Sequence, residues 1–325
     1  MTEAVGSLTV GVDIGGTKVE ATLVDPEGRV IASCRRDSGA HLEVAAIVSE
    51  LARCVDELRE QAGGREIGAT GMGVAGQIDP DSGVVLDSPN LRWHKVPIRE
   101  LVQEALGMPV TVTNDVRAVT WGEWKCGAGK GVSDLLCVFV GTGIGGGVIT
   151  GGRLLTGSTG VAGEVGHTVI DPNGPPCRCR SQGCLEAHAG GWAIGLRAQQ
   201  AVEAEPEAGS VLMALAQGDS SAITAAMVSQ AAHADDPLAL RLVAETGEAL
   251  GAGVVSLVNL FNPRLVILGG GVIEGLPELI GTVAEGVQAR ALPSHRAEVD
   301  VVGAKLGRYS GTVGAALMAR ERLTG

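Results

Sequence analysis

Twice along this chain a buried-strand segment runs into a glycine-rich turn and doubles back, and this repetition restricts the possible folds more than any other feature. The first pass is "LTVGVDIGG", then the alternating "KVEATLVD", joined through the turn "DPEG" to "RVIASCRRD", which predicts a three-strand meander. A helix-period segment follows, "EVAAIVSELARCVDELREQAG", closed by Gly63 and Gly64. Next come the strand "EIGATGMGVAG", the helix "PIRELVQEALG" and the strand "PVTVTND", giving the order β-β-β-α-β-α-β. The second pass opens with "DLLCVFVGTGIGGGVITGGRLLTG", again strand, glycine turn and hairpin. After a cysteine-bearing segment and several helices it continues through the strand "RLVILGGG", the helix "PELIGTVAEGVQARAL" and the strand "AEVDVVGA", and "TVGAALMARERL" closes the chain as a last helix. The shared order predicts two α/β domains with a cleft between them: a small N-terminal domain at 1–117, a large one at 118–304, and a C-terminal helix at 305–325 returning to the first.

Composition removes several classes of function. A net charge of −12 argues against a duplex-phosphate surface, which draws its affinity from clustered Lys and Arg, and seven aromatic residues are too few for a base-stacking platform. No apolar run approaches the roughly 18 residues needed to span a bilayer. The N-terminus "MTEAVGSLTV" reads neither as a signal peptide nor as an anchor, so a cytoplasmic protein without membrane or nucleic-acid partners is expected. In that reducing setting Cys34, Cys54, Cys126 and Cys137, all in apolar strand- or helix-like contexts, are expected to be ordinary buried thiols.

Three glycine loops follow strands. In "GVDIGGTKVEA", Asp13 ends a strand, with Gly15, Gly16, Thr17 and Lys18 after it. Glycines let backbone N–H groups approach an anion, Thr17 adds a hydroxyl, and a strand-end carboxylate can hold Mg²⁺ or its water, although a tight hairpin turn would use the same residues. In "VGTGIGGGVI", Gly141, Gly143 and Gly146 match the dinucleotide fingerprint, but a hairpin rather than a helix is predicted to follow. A backbone cradle for nucleotide phosphates, including Thr142, is the better account. In "VILGGGVI", Gly269, Gly270 and Gly271 would allow a flat ligand such as adenine to lie on bare backbone, or would simply make a strand-to-helix turn.

"VTVTNDVRAV" places Asn114 and Asp115 where a strand gives way to a helix. An aspartate there is commonly a helix cap. Its functional alternative is a general base that takes a proton from a substrate hydroxyl attacking phosphorus, with the Asn114 amide holding a neighbouring hydroxyl. Glu164, His167 and Glu186 in "GVAGEVGH" and "GCLEAH" suit a polyol, because several acceptors can converge on its hydroxyls. Cys177, Cys179 and Cys184, with His167 upstream, make the Cys₃His set of a structural zinc site with no open position. Such a metal would not activate water; it would clamp a loop too rich in glycine and proline to order itself.

These residues resemble the ROK family of bacterial sugar kinases, and most closely its glucokinases, over nearly the whole chain. "DIGGTKVEA" looks like the family's first phosphate loop, "GTGIGGG" like its second, "GVAGEVGH" with "CRCRSQGCLE" like its sugar and zinc signature, and "ILGGGV" like its adenosine segment. The resemblance implies a two-domain actin-like ATPase (hexokinase/RNase H-like) fold, ATP with Mg²⁺ as donor, structural Zn²⁺, and phosphorylation of a hexose at its 6-hydroxyl. It implies Asp115 as base and Asn114, Glu164, His167 and Glu186 as sugar ligands, adds Gly76 and Asn90 at other hydroxyls, and suggests a homodimer or homotetramer. Two departures stand out: Arg180 replaces the family's usual glycine after the second cysteine, and "NDVRAVTWGEW" replaces a more alanine-rich helix start. Within the family the alternatives are a kinase for another hexose or an amino sugar such as N-acetylmannosamine, and a polyphosphate-using hexokinase. A sugar-responsive repressor is disfavoured, since the phosphate loop begins within about a dozen residues of Met1, leaving no room for a preceding DNA-binding domain.

Overall fold

The computed structural model describes residues 7–15, 18–37, 43–205 and 207–324. Contacts divide the chain into two compact units, one formed by Met1–Gly131, Leu154–Ala162 and Lys305–Gly325, the other by Val132–Arg153 and Gly163–Ala304.

Unit one opens with the predicted meander, β1 (Leu8–Ile14), β2 (Lys18–Val24) and β3 (Val30–Asp37), then α1 (Val44–Gln61) and β4 (Ile67–Val74). A small sheet absent from the sequence reading comes next: β5 (Gln77–Ile78), β6 (Val85–Ser88) and β7 (Trp93–Val96). Then follow α2 (Ile98–Leu106), β8 (Val110–Asn114) and α3 (Asp115–Cys126). The expected boundary at 117 falls inside α3, a helix that packs on β4 and β8 and so belongs with unit one. The main sheet has the order β3-β2-β1-β4-β8, antiparallel across β3-β2-β1 and parallel across β1-β4-β8. Val10, Val12, Ile14, Met72 and Val112 from its strands meet Leu51 and Leu58 of α1 in one buried cluster.

Unit two contributes β9 (Leu135–Val140), β10 (Ile144–Thr150), β11 (Arg153–Leu154), α4 (Leu185–Ala189), α5 (Gly191–Ala204), α6 (Ser210–Leu215) and α7 (Ala225–His233). It continues with α8 (Pro237–Phe261), β12 (Leu265–Gly269), α9 (Gly271–Gly275), α10 (Glu278–Arg290), α11 (Pro293–Arg296) and β13 (Asp300–Gly303). Its sheet runs β11-β10-β9-β12-β13, with β10 antiparallel to β9, and β12 parallel to both β9 and β13. Counting main-sheet strands along the chain, both sheets therefore have the order third, second, first, fourth, fifth. This doubled arrangement is that of the two-domain actin-like ATPase fold.

The last helix, α12 (Ser310–Thr324), lies on the face of the unit-one sheet. It comes close enough that a Cβ on Gly11 of β1 would overlap the Thr312 carbonyl, and one on Gly71 of β4 the Ala315 carbonyl. Glycine at these two strand positions is what lets the helix seat. Cys34 of β3 and Cys54 of α1 are joined by a disulfide, with Cα atoms 5.5 Å apart, which corrects the expectation of ordinary thiols at both positions. No described helix is long and apolar enough to cross a membrane.

Candidate active site

In unit one the functional candidates gather where β1, β4 and β8 end. Asn114, last residue of β8, is the N-cap of α3: its Oδ1 accepts the Val116 and Arg117 N–H groups at 3.0 and 3.2 Å. Its Nδ2 donates to the Gly76 carbonyl at 3.1 Å. Sequence reasoning left Asp115 open as a cap; the structure gives that task to Asn114 and makes Asp115 the first residue of the helix. A negative charge is favoured in a helix's first turn, where unpaired N–H groups point outward.

Asp13, near the end of β1, is pushed up to about 7, first by burial, then by the nearby Asp115 charge, then by Glu20. A carboxyl crowded by neighbouring carboxylates in this way suits a dication, which would reverse the repulsion. Gly76 precedes β5 with a φ of 135°, and a Cβ there would strike the Asp87 carbonyl and Ser88. Asn90 is exposed in the turn between β6 and β7. Gly15 directly follows β1 and Lys18 begins β2, while Gly16 and Thr17 lie outside the described residues.

In unit two the glycine loop between β9 and β10 is locked onto the start of α5. Gly191 N–H donates to the Gly141 carbonyl and Trp192 N–H to the Thr142 carbonyl, both at 2.9 Å. Gly146 falls inside β10, so no helix follows the fingerprint glycines and the dinucleotide pattern is set aside. Glu186, in the first turn of α4, accepts the Ile144 N–H at 2.9 Å and the Trp192 Nε1–H at 3.2 Å. A Cβ on Gly143 would collide with its carboxylate, so that glycine makes room for Glu186. Glu164 is exposed and precedes a short 3₁₀ turn, Val165–His167.

His167, Cys177, Cys179 and Cys184 place one ligand atom each within 4.8 Å of one another. The Cys179 and Cys184 sulfurs are 3.7 Å apart, and Cys177 Sγ is 3.8 Å from His167 Nδ1. Adjacent sulfurs in a tetrahedral site with Zn–S bonds of about 2.3 Å stand about 3.8 Å apart, so the donor set fits zinc. Burial pushes the Cys177 thiol up to about 12 and raises Cys184 as well. The Cys179 thiol is lowered despite some burial, by the Ser181 backbone and the other two thiols. A bound dication would offset the burial that disfavours the Cys177 and Cys184 thiolates and let all three sulfurs ionise.

A cavity of about 890 Å³ opens in unit two, lined by Gly141 and Thr142 of the glycine loop, by Arg178, and by residues of α5, α7 and α9 with the segment before α7. Of the third glycine run only Gly271 lines it, with open space at its Cβ position. Gly269 is hemmed in by Phe139 and Ala304, and Gly270, at a φ of 89°, by the Val140 backbone. Gln199 and Ser229 tie the walls together, through the Ser221 and Ile223 carbonyls and the Gly275 carbonyl respectively. Sequence reasoning missed Trp192 and Gln199, which belong to no glycine or ligand motif, and Arg178, the residue between two ligand cysteines.

The ROK family model matches residues 9–322. The chain belongs to the ROK family. It is 39% identical over 315 residues to a glucokinase of Streptomyces coelicolor, covering 97% of this chain and 98% of that one. It is 34% identical over 317 residues to a glucokinase of Thermotoga maritima, covering 97% and 98%. A solved ROK glucokinase from Streptomyces griseus, in complex with glucose and AMPPNP, superposes with a TM-score of 0.85 at 38% identity, covering 97% of this chain and all of that one.

Proposed function

We propose that this ROK protein is an ATP-dependent glucokinase that transfers the terminal phosphoryl group of ATP to the 6-hydroxyl of glucose. The observation that carries the reading is the end-to-end likeness to glucokinases, one of them solved with glucose and a nucleotide analogue.

The residues supply the required parts. Asp115 takes the proton of the 6-hydroxyl as that oxygen bonds to phosphorus; the bond from phosphorus to the bridging oxygen breaks, and ADP leaves with the electron pair. Asn114 keeps one amide hydrogen beyond its bond to Gly76 for a sugar hydroxyl. Glu186 is held in place by two donors and retains lone pairs for sugar hydroxyls, with Glu164, His167, Gly76 and Asn90 as further sugar contacts. The loop at Gly141, Thr142 and Gly143, the first loop at Gly15, Gly16, Thr17 and Lys18, and Gly269 to Gly271 serve the nucleotide. Mg²⁺, when bound beside Asp13, neutralises charge on the phosphates. Phosphoryl transfer depends on such positioning and neutralisation more than on covalent chemistry. Zinc on His167, Cys177, Cys179 and Cys184 is structural: it clamps the segment between Glu164 and Glu186. A cytoplasmic homodimer or homotetramer is part of this reading, and light scattering would check the assembly.

The test is ADP release measured across glucose, mannose, other hexoses and N-acetylmannosamine, with ATP and with polyphosphate as donor. The highest kcat/KM is expected for glucose with ATP; a higher value for another sugar or donor overturns the assignment. In Asp115→Ala, kcat should fall by about 10² or more while the melting temperature holds. Turnover within about tenfold of wild type would remove Asp115 from the role of base.

A further inference from the structure

The cavity in unit two has one charged side chain among the described residues that line it, and that side chain is Arg178. Arg178 sits between Cys177 and Cys179, inside the metal-binding loop. Its guanidinium carbon lies 4.6 Å from the centre of the Trp192 ring. Trp192 is itself fixed twice, by its indole N–H on Glu186 at 3.2 Å and by its backbone N–H on the Thr142 carbonyl at 2.9 Å. Among the described residues no carboxylate pairs with Arg178, whereas Arg29, Arg36, Arg53, Arg59, Arg197 and Arg241 all have one.

We propose that Arg178 is a binding residue for the nucleotide's phosphate groups, delivered to the cavity by the metal-binding loop and held ready on Trp192. The proposal rests on the reading of the protein as a nucleotide-using kinase. In a chain of net charge −12, a lone unpaired cation in a cavity beside a glycine loop has an anion as its natural ligand. A guanidinium matches phosphate oxygens with a flat two-pronged set of donors. Stacking on an immobilised indole restricts the long side chain before the ligand arrives, so less freedom is lost on binding. The flanking thiolates, when they hold a metal, fix the backbone on both sides of Arg178 and give the loop a task at the nucleotide as well as at the sugar.

The experiment is calorimetric titration of the full chain with AMPPNP plus Mg²⁺ and, separately, with adenosine, neither needing sugar or turnover. Arg178→Gln should weaken AMPPNP by about tenfold or more, the scale of one charge-assisted hydrogen bond, and adenosine by less than about twofold. Arg178→Lys, keeping the charge without the fork, should fall between. Melting temperature and metal content are measured for each variant, and Arg178→Met, which keeps the stem over Trp192, repeats the comparison should the Gln variant be unstable. Unchanged AMPPNP affinity, or an equal loss for both ligands, overturns the proposal. A wild-type chain that binds AMPPNP but phosphorylates no sugar would strike the kinase assignment and leave this one standing; one that binds neither ligand removes both.

Discussion

Replacing Glu123 with alanine should be among the most damaging single changes in unit one. The side chain is wholly buried on α3. Its Oε1 accepts the Leu306 N–H at 2.8 Å, the Lys305 N–H at 3.1 Å and the Ser310 hydroxyl at 2.9 Å; its Oε2 accepts the Ala128 N–H at 2.9 Å and Lys305 again at 3.0 Å. Four donors converge on one carboxylate, and three are backbone amides. Alanine strips all four, although the Ser310 hydroxyl keeps the Gly307 carbonyl at 2.8 Å. Each of these half-buried N–H groups left unpaired costs about 1–3 kcal/mol, and water entering the vacated volume can serve one of the three, so the net loss is about 2–6 kcal/mol. At roughly 2–4 °C per kcal/mol for a unit of this size, the melting temperature should drop by about 10 °C.

Glu123→Gln keeps one oxygen for the cluster of donors but turns an amide NH₂ toward one or two of them, so about half that loss is expected. Differential scanning calorimetry of the unliganded chain reads both values. At 25 °C the folded alanine variant should retain turnover within about threefold of wild type, because Asn114 still fixes the end of α3 that carries Asp115. A loss below 2 °C for alanine, or a glutamine variant as damaged as the alanine one, would refute the reasoning.

Cys184→Ala should abolish stoichiometric metal binding, lower the melting temperature and raise KM for the sugar, since Cys184 is wholly buried beside Glu186 at the start of α4; one metal per chain retained by the variant in elemental analysis would sink the clamp. Arg180 has a φ of 71°, a conformation that glycine adopts without penalty, so Arg180→Gly should raise stability by about 1 kcal/mol, and a lowered melting temperature would contradict this. Asp13 gives a pH dependence whose sign follows from its raised pKa. Its neutral form is favoured in the folded state, so the metal-free protein loses stability as pH rises from the ordinary 3.8 through about 7. Relative to wild type, Asp13→Asn should therefore gain melting temperature between pH 5 and 8, and Mg²⁺ should narrow the gap at pH 8; a difference independent of pH would refute it.

The sequence revealed most where a task depends on residues close together in the chain, and least where it depends on distant ones. Both five-strand passes were legible, because apolar runs ending at glycine turns carry their own signal, and so was the Cys₃His set, whose ligands lie within eighteen residues. The sheet of β5, β6 and β7 escaped notice because strands of two to four residues are too short to show alternation. Asn114 and Asp115 are both good caps, and only the point where β8 ends decides that the amide caps and the acid becomes the first residue of α3. Glu123 gave no motif signal, since three of its four donors, at 305 to 310, arrive from 182 to 187 residues away. Arg180 could be marked as a departure from the family, but its cost becomes visible only as a backbone angle. Arg178 shows the same division within one short loop. The cysteines on either side of it announce themselves by spacing, while the arginine between them gains its proposed role only because Trp192 folds against it and a glycine loop lines the same cavity. Motifs therefore carry the expectations shared with relatives, and contacts such as those of Glu123 and Arg178 become visible only once the fold supplies their partners.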